Sequence, residues 1–143
     1  MNRISLTITS HLENSRLVGL CVREIARRTF NEEAKAEIEL AVVETVNNCI
    51  EHACAGSDKH QITIEFLLSE DRLSIEMIDQ GLAIEPEWLN HLNAHFDDAD
   101  LDNLSEGGRG LKIVKSCMDE VSYQNREKRN RWLLIKYTSG GAI

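Results

Sequence analysis

Glu44, Asn48 and His52 recur every four residues, so on a helix they share one face. That face offers a carboxylate, an amide oxygen and an imidazole. Such a set can orient a hydroxyl nucleophile and ligate Mg²⁺, a hard cation that takes few protein oxygens and fills its shell from phosphate and water. A second segment, Asp79-Gln80-Gly81, closes an apolar stretch. Its carboxylate can accept a hydrogen bond from the exocyclic amine of adenine, and Gly81 lets the backbone approach a base. A third, Glu106-Gly107-Gly108-Arg109-Gly110-Leu111, opens a helix, where free N–H groups bind phosphate oxygens. Arg109 either adds positive charge for a γ-phosphate or is a solvated side chain. In this order the three segments read as one site for ATP and Mg²⁺.

Each residue also has a plainer reading. A lone helical Glu44 is a solvated charge, but Val42, Val43 and Val46 make this helix apolar around it. Asn48 between apolar turns needs partners, which backbone alone can supply. Asp79 before Gln80-Gly81 is a turn aspartate by default. Gly107, Gly108 and Gly110 form a hinge unless the apolar Leu111, Ile113 and Val114 after them pack as a helix. The glycine segment is not a P-loop, since no Lys-Ser or Lys-Thr follows, nor a dinucleotide fingerprint, since it follows an acidic loop. Asp98, Asp100 and Asp102 start like a calcium loop, but Asn103 replaces its glycine and Arg109 its bidentate Glu. His91 and His95 lack the Glu of a zinc-protease motif.

The elements that must position these residues follow from periodicity. Ile4, Leu6 and Ile8 alternate as a half-buried strand over 3–9. Residues 13–30 turn helical, with Leu17, Leu20, Cys21, Ile25 and Ala26 as the expected apolar stripe. Asn31 caps a second helix running to about 53, with Glu32 and Glu33 in its first turn. Leu40, Val43, Asn47 and Ile50 follow core-like spacing on it. Ile62, Ile64 and Phe66, then Leu73, Ile75, Met77 and Ile78, form two strands joined by a turn at Glu70-Asp71, an antiparallel hairpin. Residues 82–106 are long, acidic and irregular, with a short helix expected around 88–95; such loops are functional or mobile. A helix over 108–118 and strands over 120–125 and 131–137 follow, with Arg126-Glu127-Lys128-Arg129 between the strands. This order predicts an α/β (α+β) two-layer sandwich with helices on one face of a mixed, mainly antiparallel sheet.

The 143 residues suffice for one domain with its own core. A net charge of −8 argues against a nucleic-acid footprint and against anionic membranes. No apolar run spans a bilayer and the N-terminus lacks a signal-peptide block, so a cytoplasmic protein is expected. Cys21, Cys49, Cys54 and Cys117 form no Cys-x-x-Cys pair and read as buried reduced thiols.

The chain resembles the GHKL ATPases, and within them the small anti-sigma-factor serine kinases of bacterial partner-switching systems. Val42-Val43-Glu44-Thr45-Val46-Asn47-Asn48-Cys49-Ile50-Glu51-His52-Ala53 is similar to the family's N-box. Asp79-Gln80-Gly81 resembles its first glycine box. Ser105 through Leu111, continuing to Met118-Asp119-Glu120-Val121, resembles its second and is the most family-specific stretch. The resemblance implies a Bergerat-type (GHKL) ATPase sandwich over residues 1–143, with an ATP lid at about 82–106. It implies Glu44 as general base, Asn48 as Mg²⁺ ligand and Asp79 as the adenine-binding carboxylate. His52, Gly81, Gly107, Gly108, Arg109, Gly110 and Leu111 complete the nucleotide site. It also implies a homodimer that phosphorylates a serine on a STAS-domain anti-anti-sigma protein and sequesters a sigma factor or equivalent regulator. Two features depart from the family. Leu82-Ala83-Ile84 stands where a further glycine or proline is frequent, and Asn130-Arg131-Trp132-Leu133-Leu134-Ile135 lacks the threonine common in the last strand.

Three functions compete. The first is a protein-serine kinase that doubles as a regulatory binder. The alternative is a catalytically inactive module of the same fold that uses ATP to set a conformation; retention of Glu44 argues against it, since binding needs no base. The third is the catalytic half of a sensor histidine kinase, for which no segment before Ile4 supplies a phosphoacceptor hairpin and a separately encoded partner would have to.

Overall fold

In the computed structural model, the structure describes residues 1–84 and 107–138. Its elements are β1 (Asn2–Thr9), α1 (Glu13–Ile25), α2 (Glu32–Asn48), a π-helical segment (Cys49–Ala53), β2 (Gln61–Leu68), β3 (Arg72–Asp79), α3 (Gly107–Cys117), β4 (Glu120–Arg126) and β5 (Arg129–Tyr137). The strands form one sheet in the order β1-β2-β3-β5-β4. Every described pair is antiparallel, so the mixed character expected of the sheet is not seen among them.

Alternation along the strands sends one set of side chains to the helices. Ile62, Ile64 and Phe66 of β2, Leu73, Ile75 and Met77 of β3, and Trp132 and Leu134 of β5 are buried. They meet Val18 and Val22 of α1, Ile38, Val42 and Val46 of α2, and Leu111 and Val114 of α3 in one core. Each such side chain contributes about 1.5–3 kcal/mol on leaving water. The other sheet face stays half-exposed and polar at Thr63, Glu65, Ser74 and Glu76, with an Arg131–Glu76 ion pair at 2.6 Å.

The α1 stripe differs from expectation. Leu17 and Leu20 are 54% and 58% exposed, and Ser15, Val18, Gly19, Val22 and Ala26 face inward instead. The cause is Gly19: a Cβ there would lie 2.6 Å from a Val43 methyl, so α1 and α2 approach on small residues. Leu40 of α2 is likewise 44% exposed, while Ile38, Ala41, Val42, Thr45 and Val46 are buried. The Asn31 cap is present, its Oδ1 accepting from the Ala34 N–H at 2.8 Å. The expected helix to residue 53 changes character at Cys49, where the wider π turn begins.

The last hairpin is tighter than expected. Both strands extend, and Glu127 and Lys128 alone make the turn with φ of 56° and 63°. That left-handed pair is usually Asn-Gly; with neither residue type present, it was not legible.

Candidate functional site

Two clusters form where α2, the sheet end and α3 meet. The first joins Glu44 and Asn48 to the glycine helix. Both lie half-buried on α2, one turn apart. A Cβ on Gly110 would sit 3.1 Å from Glu44 Oε2 and 3.4 Å from Asn48 Oδ1. Gly110 is thus the point at which α3 comes down onto the α2 pair, and hydrogen in place of a side chain leaves their oxygens room. Leu111, next in line, is 1% exposed in the core, so its side chain anchors α3. Gly107, Gly108 and Arg109 begin α3, but their side chains lie outside the described residues. So do the 85–106 portion of the expected lid and the His91, His95 and Asp98–Asp102 positions.

His52 falls in the π-helical segment and is exposed. The four-residue spacing that aligns Glu44 with Asn48 belongs to the α-helix and does not carry through the wider π turn. His52 is therefore placed one element beyond the Glu44–Asn48 pair.

The second cluster surrounds Asp79. This carboxylate is 1% exposed at the end of β3. Its Oδ1 accepts from the Gly81 N–H and from Asn130 Nδ2, both at 2.8 Å. Its Oδ2 is buried with no hydrogen-bond partner among the described residues. A buried acceptor left so costs about 1–3 kcal/mol unless a donor meets it. The Cys49 thiol beside it is pushed well above its ordinary range, by burial first and by the Asp79 charge second. Burial and then Asp79 also raise Cys54. Consecutive residues Asn48 and Cys49 thus link the two clusters.

Gly81 is required by packing. A Cβ there would lie 2.2 Å from the Ala53 carbonyl oxygen, and the next residue, Leu82, donates its N–H to that oxygen at 2.8 Å. The same glycine docks the chain leaving β3 onto the π-helical segment. Two cavities of about 520 Å³ flank this corner, one reaching Asp79 and Gln80 and the other Ala53, Gly81 and Asn125. Their linings do not extend to Glu44 or Asn48.

Sequence reasoning missed Asn130 and Tyr123. Both are buried, and Asn130 bonds directly to Asp79. The available signal was a polar residue opening an apolar strand, but the partner is set by non-local pairing of Asp79 with Asn130 across β3 and β5.

Chemically, the corner offers one buried anionic acceptor for an amine, and the α2 pair offers a carboxylate and a neutral oxygen under a glycine helix start. Among the described residues no group of three or more His, Cys, Asp or Glu converges. A cation at Asn48 would draw most of its oxygens from phosphate and water, which suits Mg²⁺. No helix among the described residues is long and apolar enough to cross a membrane.

Comparison with known proteins identifies the family. Residues 8–136 match the family described as Histidine kinase-like ATPase domain. The serine-protein kinase RsbW of Listeria monocytogenes serotype 4a is 30% identical over 122 residues, covering 84% of this chain and 78% of that protein. RsbW of Bacillus subtilis is 27% identical over 124 residues, covering 85% and 78%. Among solved structures, the RsbU and RsbW domains of a Mycobacterium tuberculosis protein superpose with a TM-score of 0.63 at 17% identity. That match covers 96% of this chain, which spans 33% of the longer one. The catalytic domain of histidine kinase ThkA gives 0.58 at 17% identity, covering 96% and 99%, a likeness of fold. With residues 8–136 of its 143 matched, the chain belongs to the histidine kinase-like ATPase domain family.

Proposed function

We propose that this chain is an ATP-dependent protein-serine kinase and anti-sigma factor. It transfers phosphate to a serine of a STAS-domain anti-anti-sigma protein and sequesters a sigma factor or equivalent regulator. The proximity of Gly110 to Glu44 and Asn48 carries this reading, because it unites the start of a phosphate-binding helix with a base and a metal ligand. The likeness to proteins named as serine-protein kinases supports it.

In this reading Asp79 Oδ2 accepts the adenine amine. The backbone of Gly107, Gly108, Gly110 and Leu111, with Arg109, holds the phosphates, and His52 adds to the nucleotide site from the π-helical segment that follows α2. Asn48 Oδ1 ligates Mg²⁺, which supplies charge neutralisation at the phosphates when bound. The partner's serine oxygen forms a bond to the γ-phosphorus. The bond from that phosphorus to the β,γ-bridging oxygen breaks, ADP leaves, and Glu44 orients the hydroxyl and takes its proton. The protein works in the cytoplasm as a homodimer. Sedimentation at micromolar concentration checks the dimer, and a monomer alone contradicts it.

The partner is found by capture on the tagged chain with ATP·Mg²⁺ and with ADP, read by mass spectrometry. A STAS-domain protein and a sigma factor, bound in a nucleotide-dependent manner, are expected. Capture of neither contradicts the regulatory role.

A further inference from the structure

Asn130 opens the inward-facing side of β5 and is 1% exposed. Every polar atom of its amide is engaged. Nδ2 donates to Asp79 Oδ1 and to the Leu82 carbonyl, both at 2.8 Å, with the Gly81 carbonyl at 3.3 Å. Oδ1 accepts from Asn125 Nδ2 at 2.9 Å and from the Tyr123 hydroxyl. That hydroxyl in turn accepts the Ile84 N–H at 3.0 Å. The amide has one permitted direction, since a carboxylate and two carbonyls only accept. Asp79 Oδ1 therefore carries two donors, and Oδ2, equally buried, carries none among the described residues.

We propose that Asn130 is a positioning and specificity-determining residue of the base pocket. Its amide locks the Asp79 carboxylate so that Oδ2 alone faces an incoming base, and it ties that carboxylate to the chain leaving Gly81. This rests on the nucleotide-binding reading and adds the origin of base selectivity to it. A purine bearing a 6-amino group donates to Oδ2. A purine without that group leaves the ion buried and unpaired, and sites built around such a bond reject the analogue lacking it. Without the Asn130 amide the carboxylate keeps only the Gly81 N–H on Oδ1, is held less firmly, and selectivity falls. None of Asn130's hydrogen bonds among the described residues reaches Glu44, Asn48 or Gly110. The residue acts on which nucleotide binds and not on the transfer step.

The test is calorimetric binding of ATP and of purine riboside triphosphate, which differs by the missing amine. Wild type, Asn130→Ala and Tyr123→Phe are compared. The wild type is expected to prefer ATP by about tenfold or more, the worth of a hydrogen bond to a charged group. Asn130→Ala is expected to reduce that preference to about threefold or less. Tyr123→Phe keeps the Asn130–Asp79 bond and is expected to keep the preference. Equal weakening of both nucleotides by Asn130→Ala, with the preference intact, would overturn the inference. If Asn130→Ala does not fold, the wild-type side-chain amide signals of Asn130 decide by NMR: they should move more with ATP than with the analogue, and identical shifts overturn it. Wild type that binds ATP without preference defeats this inference alone. Wild type that binds no ATP defeats the nucleotide reading with it.

Discussion

Asp79 carries two duties on two oxygens. Oδ1 holds the local chain, and in the proposed function Oδ2, which has no hydrogen-bond partner among the described residues, accepts from the base. Asp79→Asn removes the charge and sets an amide where an anionic acceptor stood. ATP binding should weaken by about 1–3 kcal/mol, measured by calorimetry; unchanged affinity would remove Asp79 from the base pocket. Its neighbour Cys49 gives an independent check on the same corner. A thiol pKa raised by burial and by Asp79 leaves less thiolate at any given pH. At pH 8, alkylation of the native protein should reach half-buried Cys21 well before Cys49, as read by peptide mass spectrometry. Equal rates would contradict the buried Asp79–Cys49 contact. The placement of Asp79 at a strand end and of Glu44 and Asn48 on one helix face was legible because each breaks an apolar pattern. Asn130 was not, because its role comes from a partner 51 positions away.

At the scale of elements, the two site glycines serve different ends. A methyl on Gly81 meets the Ala53 backbone oxygen at 2.2 Å, and backbone cannot swing aside. Gly81→Ala should therefore cost about 1–3 kcal/mol of stability through overpacking. A methyl on Gly110 meets only the ends of Glu44 and Asn48, which can rotate away, and alanine favours a helix by about 1 kcal/mol over glycine. Gly110→Ala should keep or raise the melting temperature while lowering phosphotransfer, because the α2 pair is displaced. Equal melting losses in the two variants would contradict this division. Periodicity located every described helix and strand but not every inward face. On α1 the larger leucines face outward because Gly19 sets the helix contact. On α2 the π turn after Asn48 changes the spacing that placed His52 with Glu44. Neither a packing glycine nor a local change of helical pitch leaves a period that sequence alone reveals.

For the whole molecule, the order of strands and helices was legible because both hairpins are local. The sheet order was not, because β3 pairs with β5 across the segment that carries α3. That non-local pairing closes the Asp79–Asn130 corner while α3 brings Gly110 to Glu44. The fold thus joins the Asp79 corner, proposed to hold the base, to the Glu44 corner, proposed to carry transfer, through Asn48 and Cys49. The central claim is that the transfer corner performs chemistry and does not merely bind. Its most direct test is movement of labelled γ-phosphate from ATP to the captured STAS-domain protein, by wild type and Glu44→Gln, beside direct ATP binding to each. The wild type should label the partner on serine. Glu44→Gln should bind ATP as the wild type does and transfer about 10²–10⁴ times more slowly, the usual cost of losing a general base. Full transfer by Glu44→Gln, or a wild type that binds ATP and partner yet never labels it, would contradict the account.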